Sequence, residues 1–182
     1  MLCTERDGIL FHMVTNRQIE SVSIRRAEKA DIPAIVGIQD RALDAVHDLS
    51  RSFPLQKWQA FFDSAHIFTY LSETEQPFGF VTAGRPLEDY YRDGEHGELI
   101  ALNILPTHWG HGFGKKLLVH GISVLKRRRF EHAIVWVTTT NERAVDILVK
   151  LGFSPNGATR ITNRGESSYQ ESCYALQLGE YF

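Results

Sequence analysis

An α+β domain around one central sheet is the fold that the sequence predicts. Three observations carry the prediction. The 182 residues suit one domain that buries about 70% of its unfolded-chain surface. Short apolar or alternating runs are interspersed with segments whose apolar residues recur at helical spacing. No repeat, linker or low-complexity tract interrupts them. A single domain over residues 21–182 is expected, with residues 1–20 as an N-terminal extension.

The elements follow in order. "VSIRRA" reads as a short strand. In "DIPAIVGIQDRALDAV", Asp31 marks a helix start and Pro33 falls in the first turn. Ile32, Ile35, Val36, Gln39, Ala42, Leu43 and Val46 then share one face, with Gln39 its polar exception. Ser52 and Pro54 signal a second helix carrying Leu55, Trp58, Phe61 and Phe62. "HIFTYL" and "FGFVTAG", separated by the polar "SETEQP", predict a hairpin, and "LEDYYRDGEHG" a polar loop. "ELIALNIL" is a mostly apolar strand. Leu117, Leu118, Gly121, Ile122 and Leu125 form a helix face, and "AIVWVT" a buried strand. "NERAVDILVKLG" reads as a helix closed by Gly152, and two last strands lie around Asn156-Gly157 and in "YQESCYALQL".

Composition excludes several classes. With 43% hydrophobic residues and a formal charge of −2, the chain is neither disordered, fibrous nor nucleic-acid-coating. Its only cysteines, Cys3 and Cys173, make no disulfide framework, which suggests a reducing compartment, the cytoplasm by default. No apolar run approaches the roughly 20 residues of a membrane span, and Glu5, Asp7 and Arg17 interrupt the stretch where a signal peptide would be apolar.

The chemistry begins at "PTHWGHGFGKKLLVHG", which places Gly110, Gly112 and Gly114 within five residues and Lys115 and Lys116 behind them. A P-loop needs four residues between its glycines and Ser or Thr after the lysine; neither is present. A dinucleotide fingerprint needs a third glycine where Lys115 stands. What remains is a nest of unhindered backbone N–H groups at a helix N-terminus, suited to a diphosphate, or else a turn that only lets strand and helix pack.

The order strand, Pro106, Trp109-Gly110-His111-Gly112-Phe113-Gly114, long helix, strand, then "NERAVDILVKLGF" resembles the GNAT superfamily of acyl-CoA-dependent N-acetyltransferases over nearly the whole chain, about Val22 to Leu178. The resemblance implies a mixed central sheet splayed between two parallel strands, "ELIALNIL" and "AIVWVT", with helices on both faces. It implies acetyl-CoA as co-substrate. Gly110, His111, Gly112, Phe113, Gly114 and Lys115 would then meet the pyrophosphate, and Asn103, Ile104 and Leu105 would pair with the pantetheine arm like an added strand. The N–H of Ile104 would hold the developing oxyanion. Asn141 matches the family asparagine that touches pantetheine, and is equally an N-cap for the helix that follows.

Amine attack requires a deprotonated amine, so a base must take a proton. Glu98, eleven positions before Trp109, matches the catalytic glutamate of histone acetyltransferases in the same superfamily, with a solvated strand-end carboxylate as the bland reading. His96 is the rival, because imidazoles titrate near neutral pH. The family's usual general acid, a tyrosine in "NxxAxxLYEKLGF", is Leu148 here; Tyr169 and Tyr174 are candidate substitutes. Trp109 replaces the usual Gln or Arg at the head of the loop.

No metal is expected: His108 and His111 have ligand-like spacing but no accompanying cysteine. Lys126-Arg127-Arg128-Arg129 reads as a cationic helix end rather than a nucleic-acid patch. Trp58, Phe61 and Phe62 are core at helical spacing, although an acceptor pocket would also use them. The expected activity is acetyl transfer from acetyl-CoA to a primary amine by direct attack; the alternative is a non-catalytic acyl-CoA-binding or regulatory domain. The acceptor is left open among small amines, antibiotics, amino acids, polyamines and protein amines. Neither a nucleic-acid nor a membrane partner is expected, and a homodimer is compatible with the reading.

Overall fold

The computed structural model describes residues 22–46, 52–164 and 167–179. The expected N-terminal extension, residues 1–20, lies outside the described residues. Among the described residues seven strands form one sheet in the order β1-β2-β3-β4-β5-β7-β6. They are β1 (Ser23–Arg26), β2 (Ile67–Glu73), β3 (Pro77–Gly84), β4 (His96–Ile104), β5 (His132–Thr138), β6 (Ser154–Arg164) and β7 (Ser167–Gln177). Every pairing is antiparallel except β4 with β5. Parallel neighbours need a crossover, which helix α3 (Phe113–Arg127) provides.

Helices cover both faces, as the resemblance implies. Helices α1 (Ile32–Asp44) and α2 (Leu55–Asp63) pack on Leu71, Phe80, Ile100 and Ala101. On the other face α3 and α4 (Glu142–Lys150) pack on Phe78, Val81, Leu99 and Ile104. Trp58 and Phe61 are core: Trp58 meets Phe53, Phe61 and Phe80 edge to face at 5.3–5.8 Å. Gln39, the polar member of the α1 face, is fully buried. It accepts from Phe53 N–H (3.0 Å) and Trp58 Nε1 (3.2 Å) and donates to Phe53 O (3.0 Å), tying α1 to the start of α2. Such a group is tolerated inside because its donor and acceptor are both satisfied.

Asn156-Gly157 lies within a strand, as expected, at an irregularity of β6 where the register to β7 shifts between Pro155 and Thr159; Gly157 takes φ +88° there. The loop before β4 is less polar in its packing than in its sequence: Tyr91 is buried against Ile134, Trp136 and Cys173.

The feature that shapes the site is a bulge. Thr82 faces Ala101 and Ala83 faces Leu99, so Ile100 is an extra residue in β4. Ile100 and Ala101 consequently both pack toward α1, and the strand bends. Just before that bend β4 stops pairing with β5: the ladder covers only His96–Glu98 against His132–Ile134. Both strands then run on without each other, β4 to Ile104 and β5 to Thr138.

Candidate active site

A cavity of about 490 Å³ occupies the opening between β4 and β5. One end is walled by Ala42, Leu43 and Val46 of α1, and the other by Gly110, Gly112, Lys115, Asn141 and Arg143. It therefore passes from the α1 face of the sheet to the α3 face, with the two strand edges as its sides.

The β4 edge is chemically specific. Leu105 N–H bonds Phe78 O at 2.8 Å, which fixes the phase of the antiparallel ladder with β3. Alternation then turns the backbone groups of Asn103 and Leu105 toward β3 and those of Leu102 and Ile104 toward the opening. Ile104 therefore presents its N–H to the cavity, while its carbonyl accepts the indole N–H of Trp109 at 2.7 Å. Trp109 thus contributes its side chain as well as its backbone. Asn103 and Ile104 line the cavity, and Leu105 packs between both core clusters.

At the far end, Gly110 and Gly112 have φ of +83° and +79°, where side chains are disfavoured, and a Cβ on either would meet nothing within 4 Å. Space above the loop is open rather than filled by the chain. Gly112 caps α3, whose first backbone bond runs from Lys116 N–H to Gly112 O, so the N–H groups of Phe113, Gly114 and Lys115 have no partner in the preceding turn. Lys115 and His111 are exposed beside them. Phe113 packs on Phe78 at 4.9 Å and anchors the loop to the sheet. Asn141 caps α4, its side chain accepting Ala144 N–H at 3.1 Å, and also lines the cavity. Arg143 was not foreseen: its guanidinium lies 4.9 Å from the Trp109 ring centre, a cation at the end where Lys115 stands.

Glu98 sits where the strands part, paired with Gly84 of β3 and Ile134 of β5. It is fully buried, and its Oε2 accepts Leu87 N–H at 2.8 Å, so it is no solvated strand end. His96, two residues earlier, bonds Asp93 Oδ2 through Nδ1 at 2.6 Å and stacks on His132. Near Glu98 the Tyr91 hydroxyl accepts from Asn156 Nδ2 at 2.8 Å, and the same amide donates to Cys173 Sγ at 3.4 Å. Burial pushes Tyr91 up to about 12 and raises the Cys173 thiol, so both stay protonated at neutral pH.

Leu148 is buried in the cavity wall, where a tyrosine would have reached the opening. Tyr174 packs against the α3-side core instead, and Tyr169 is half-buried. His108 stacks flat on Phe78 at 4.3 Å and bonds Thr107 Oγ1. Among the described residues no group of three His, Cys, Asp or Glu is arranged to hold a metal ion. The basic run closes α3, with Arg128 3.9 Å over the Phe68 ring and Arg129 at φ +65°.

A sheet opened between parallel strands beside a glycine-rich helix start is the architecture of acyl-CoA-dependent acyltransferases. The chain belongs to the acetyltransferase (GNAT) family, whose profile matches residues 32–153. Peptidyl-lysine N-acetyltransferase YjaB of Escherichia coli (strain K12) is 28% identical over 149 residues, 80% of this chain and 90% of that protein. Two solved structures share the fold. That of yncA from Salmonella typhimurium with its cofactor acetyl-CoA has a TM-score of 0.71 at 22% identity, covering 89% of this chain and 96% of that one. The N-acetyltransferase from Staphylococcus aureus Mu50 gives 0.73 at 20% identity, covering 87% and 99%. The protein is an N-acetyltransferase, and the alternative of a non-catalytic binding domain finds no support. Among the described residues no helix is long and apolar enough to cross a membrane.

Proposed function

We propose that this protein transfers the acetyl group of acetyl-CoA to a primary amine by direct attack, in a site formed by the gap between β4 and β5. The observation that carries the proposal is the free β4 edge, because Ile104 directs its N–H into a cavity that reaches both faces of the sheet. The residues fit the co-substrate: open space lies over two positive-φ glycines, a helix start offers unbonded N–H groups, and β4 leaves its edge toward β5 unpaired beyond Glu98.

Acetyl-CoA supplies the activated acyl group as a thioester. Gly110 to Lys115 bind its pyrophosphate through backbone N–H groups, with Lys115 and Arg143 adding positive charge. The edge groups of β4 and the Asn141 side chain hold the pantetheine arm. Ile104 N–H polarises the acyl carbonyl; a preorganised donor of this kind contributes about 3 kcal/mol. Glu98 takes a proton from the acceptor's ammonium through water, freeing the amine that attacks the thioester, and its Leu87 contact keeps the carboxylate fixed at the head of the gap. Leu148 supplies no proton, so the thiolate leaves without a donor from α4. The location is the cytoplasm.

The test is thiol release from acetyl-CoA across a panel of amines, with Glu98→Gln and His96→Gln measured beside the wild type. Glu98→Gln keeps CoA affinity, lowers kcat/KM by about 10²-fold and removes the enzyme's limb from the rising part of the pH profile, because general-base catalysis contributes about 10²- to 10⁴-fold and water partly replaces a base that already acts through it. Full rate with the wild-type limb removes Glu98 from the role. Loss of the limb in His96→Gln alone moves it to His96.

A further inference from the structure

Outside the cavity lies a cation that the mechanism does not use. Arg92 follows Asp89–Tyr91, a single 3-10 turn closed by Tyr91 N–H on Glu88 O at 3.2 Å and Arg92 N–H on Asp89 O at 3.0 Å. The turn sends Arg92 back over the chain that precedes it. Its Nε donates to Pro86 O and its Nη2 to Leu87 O, both at 3.0 Å, while Nη1 pairs with Asp89. Pro86 O belongs to the same peptide group as Leu87 N–H, and that N–H donates to Glu98 Oε2 at 2.8 Å. A trans peptide group is planar, with its C=O and N–H pointing opposite ways. Arg92 and Glu98 therefore hold the two ends of one rigid unit. Leu87 packs on the α1-side core, and Tyr91 is buried against Ile134, Trp136 and Cys173, so the turn is pinned to the sheet on either side of that unit.

We propose that Arg92 is a positioning residue for the transfer reaction: through the Pro86–Leu87 peptide group it fixes the donor that holds the Glu98 carboxylate. This rests on the reading of Glu98 as the base of the β4–β5 site. The guanidinium acts in two ways. Its fork bonds the carbonyls on both sides of Leu87, so the backbone there cannot turn its N–H away from Glu98 without breaking two charge-assisted bonds. A bond accepted at a peptide carbonyl also polarises the group and strengthens its N–H as a donor, by about 10–30% per bond. The other titratable groups around Glu98 are few. The Cys173 thiol of β7 is close enough to feel its charge, and Tyr91 packs on that thiol; burial keeps both protonated at neutral pH. Beyond the thiol, Arg160 of β6 is paired with Glu171 and Glu88. His96 lies two residues back along β4, bonded to Asp93 and stacked on His132.

Arg92→Ala and Arg92→Lys, measured beside Glu98→Gln, test this by two readouts. The first is thiol release from acetyl-CoA with the panel amine that the wild type uses fastest. Arg92→Ala is expected to lower kcat/KM about five- to tenfold at unchanged CoA affinity, and to move the rising limb of the pH profile up by about 0.5 pH unit or more, because a carboxylate that loses a donor is protonated more readily. Arg92→Lys keeps the charge but not the fork, and should fall between Arg92→Ala and the wild type. In a Glu98→Gln background the same Arg92→Ala change should cost less than about twofold, since no base remains to be positioned. The second readout needs no acceptor: carbon-13 NMR of the Glu98 side-chain carboxyl, assigned by its loss in Glu98→Gln, followed through a pH titration of CoA-saturated protein. Its midpoint should rise in Arg92→Ala by as much as the limb does. An unmoved midpoint while Glu98→Gln is slowed about 10²-fold overturns the role of Arg92 and leaves Glu98 as the base. A moved midpoint with full turnover in Glu98→Gln upholds the hold of Arg92 on the carboxylate and sinks the reading of Glu98 as the base. If Arg92→Ala does not fold, Arg92→Lys carries both readouts.

Discussion

At the scale of single residues, Gly112 separates two reasons for a glycine. Its φ of +79° is a backbone reason, and the open space above it is a ligand reason. Gly112→Val offends both, whereas Gly112→Asn offends mainly the second, because asparagine tolerates the left-handed region. Both variants are expected to weaken calorimetric CoA binding at least tenfold, about 1.4 kcal/mol, with native far-UV circular dichroism. Wild-type affinity in Gly112→Asn would mean that the glycine serves only the turn. The loop was legible in sequence because positive-φ glycines at a helix start leave a pattern of their own. The full burial of Glu171 in β7 was not, since a glutamate in a β-strand gives no sign of it, and it is offset by an ion pair with Arg160, eleven residues away in the neighbouring strand.

At the scale of elements, the helices were readable from their apolar spacing, and even Gln39 was singled out as the exception on its face. What the spacing could not show was that this glutamine bonds both Phe53 and Trp58, a pairing across 14 and 19 residues. The strand around Asn156-Gly157 was readable too, but the register shift inside it was not. A turn-forming dipeptide reports local backbone preference, and here the preference serves a bulge inside β6. Helix α4 offers the sharper test. Leu148 is buried in the cavity wall, so Leu148→Tyr adds a ring and a hydroxyl where the opening has room. Turnover is expected to stay within a few-fold of wild type or rise, with overpacking lowering stability by about 1–3 kcal/mol. A large loss of kcat in a variant that melts as the wild type does would show that Leu148 packs against a substrate rather than standing in for a missing acid.

At the scale of the whole molecule, the sheet is two ladders held together by a short seam. Strands β1 to β4 form one ladder and β5 to β7 the other; the pairing of His96–Glu98 against His132–Ile134 joins them, extended by Glu95 O, which accepts from Glu131 N–H at 2.7 Å and His132 N–H at 3.1 Å. The sequence could suggest two parallel strands but not where they part, because the parting follows from the extra residue Ile100, whose effect appears only in register with β3. An extended ligand in the gap would complete the missing ladder on the β4 side, and backbone hydrogen exchange should detect it amide by amide. In the free protein the Leu102 and Ile104 amides, which face the opening, are expected to exchange faster than those of Asn103 and Leu105, which face β3. Addition of CoA should slow Leu102 and Ile104 while leaving the other two nearly unchanged, since their partners are already present. The alternation is the decisive part of the outcome. Uniform slowing of all four amides would indicate general tightening of the fold, and unchanged Leu102 and Ile104 at saturating CoA would place the carrier somewhere other than this edge.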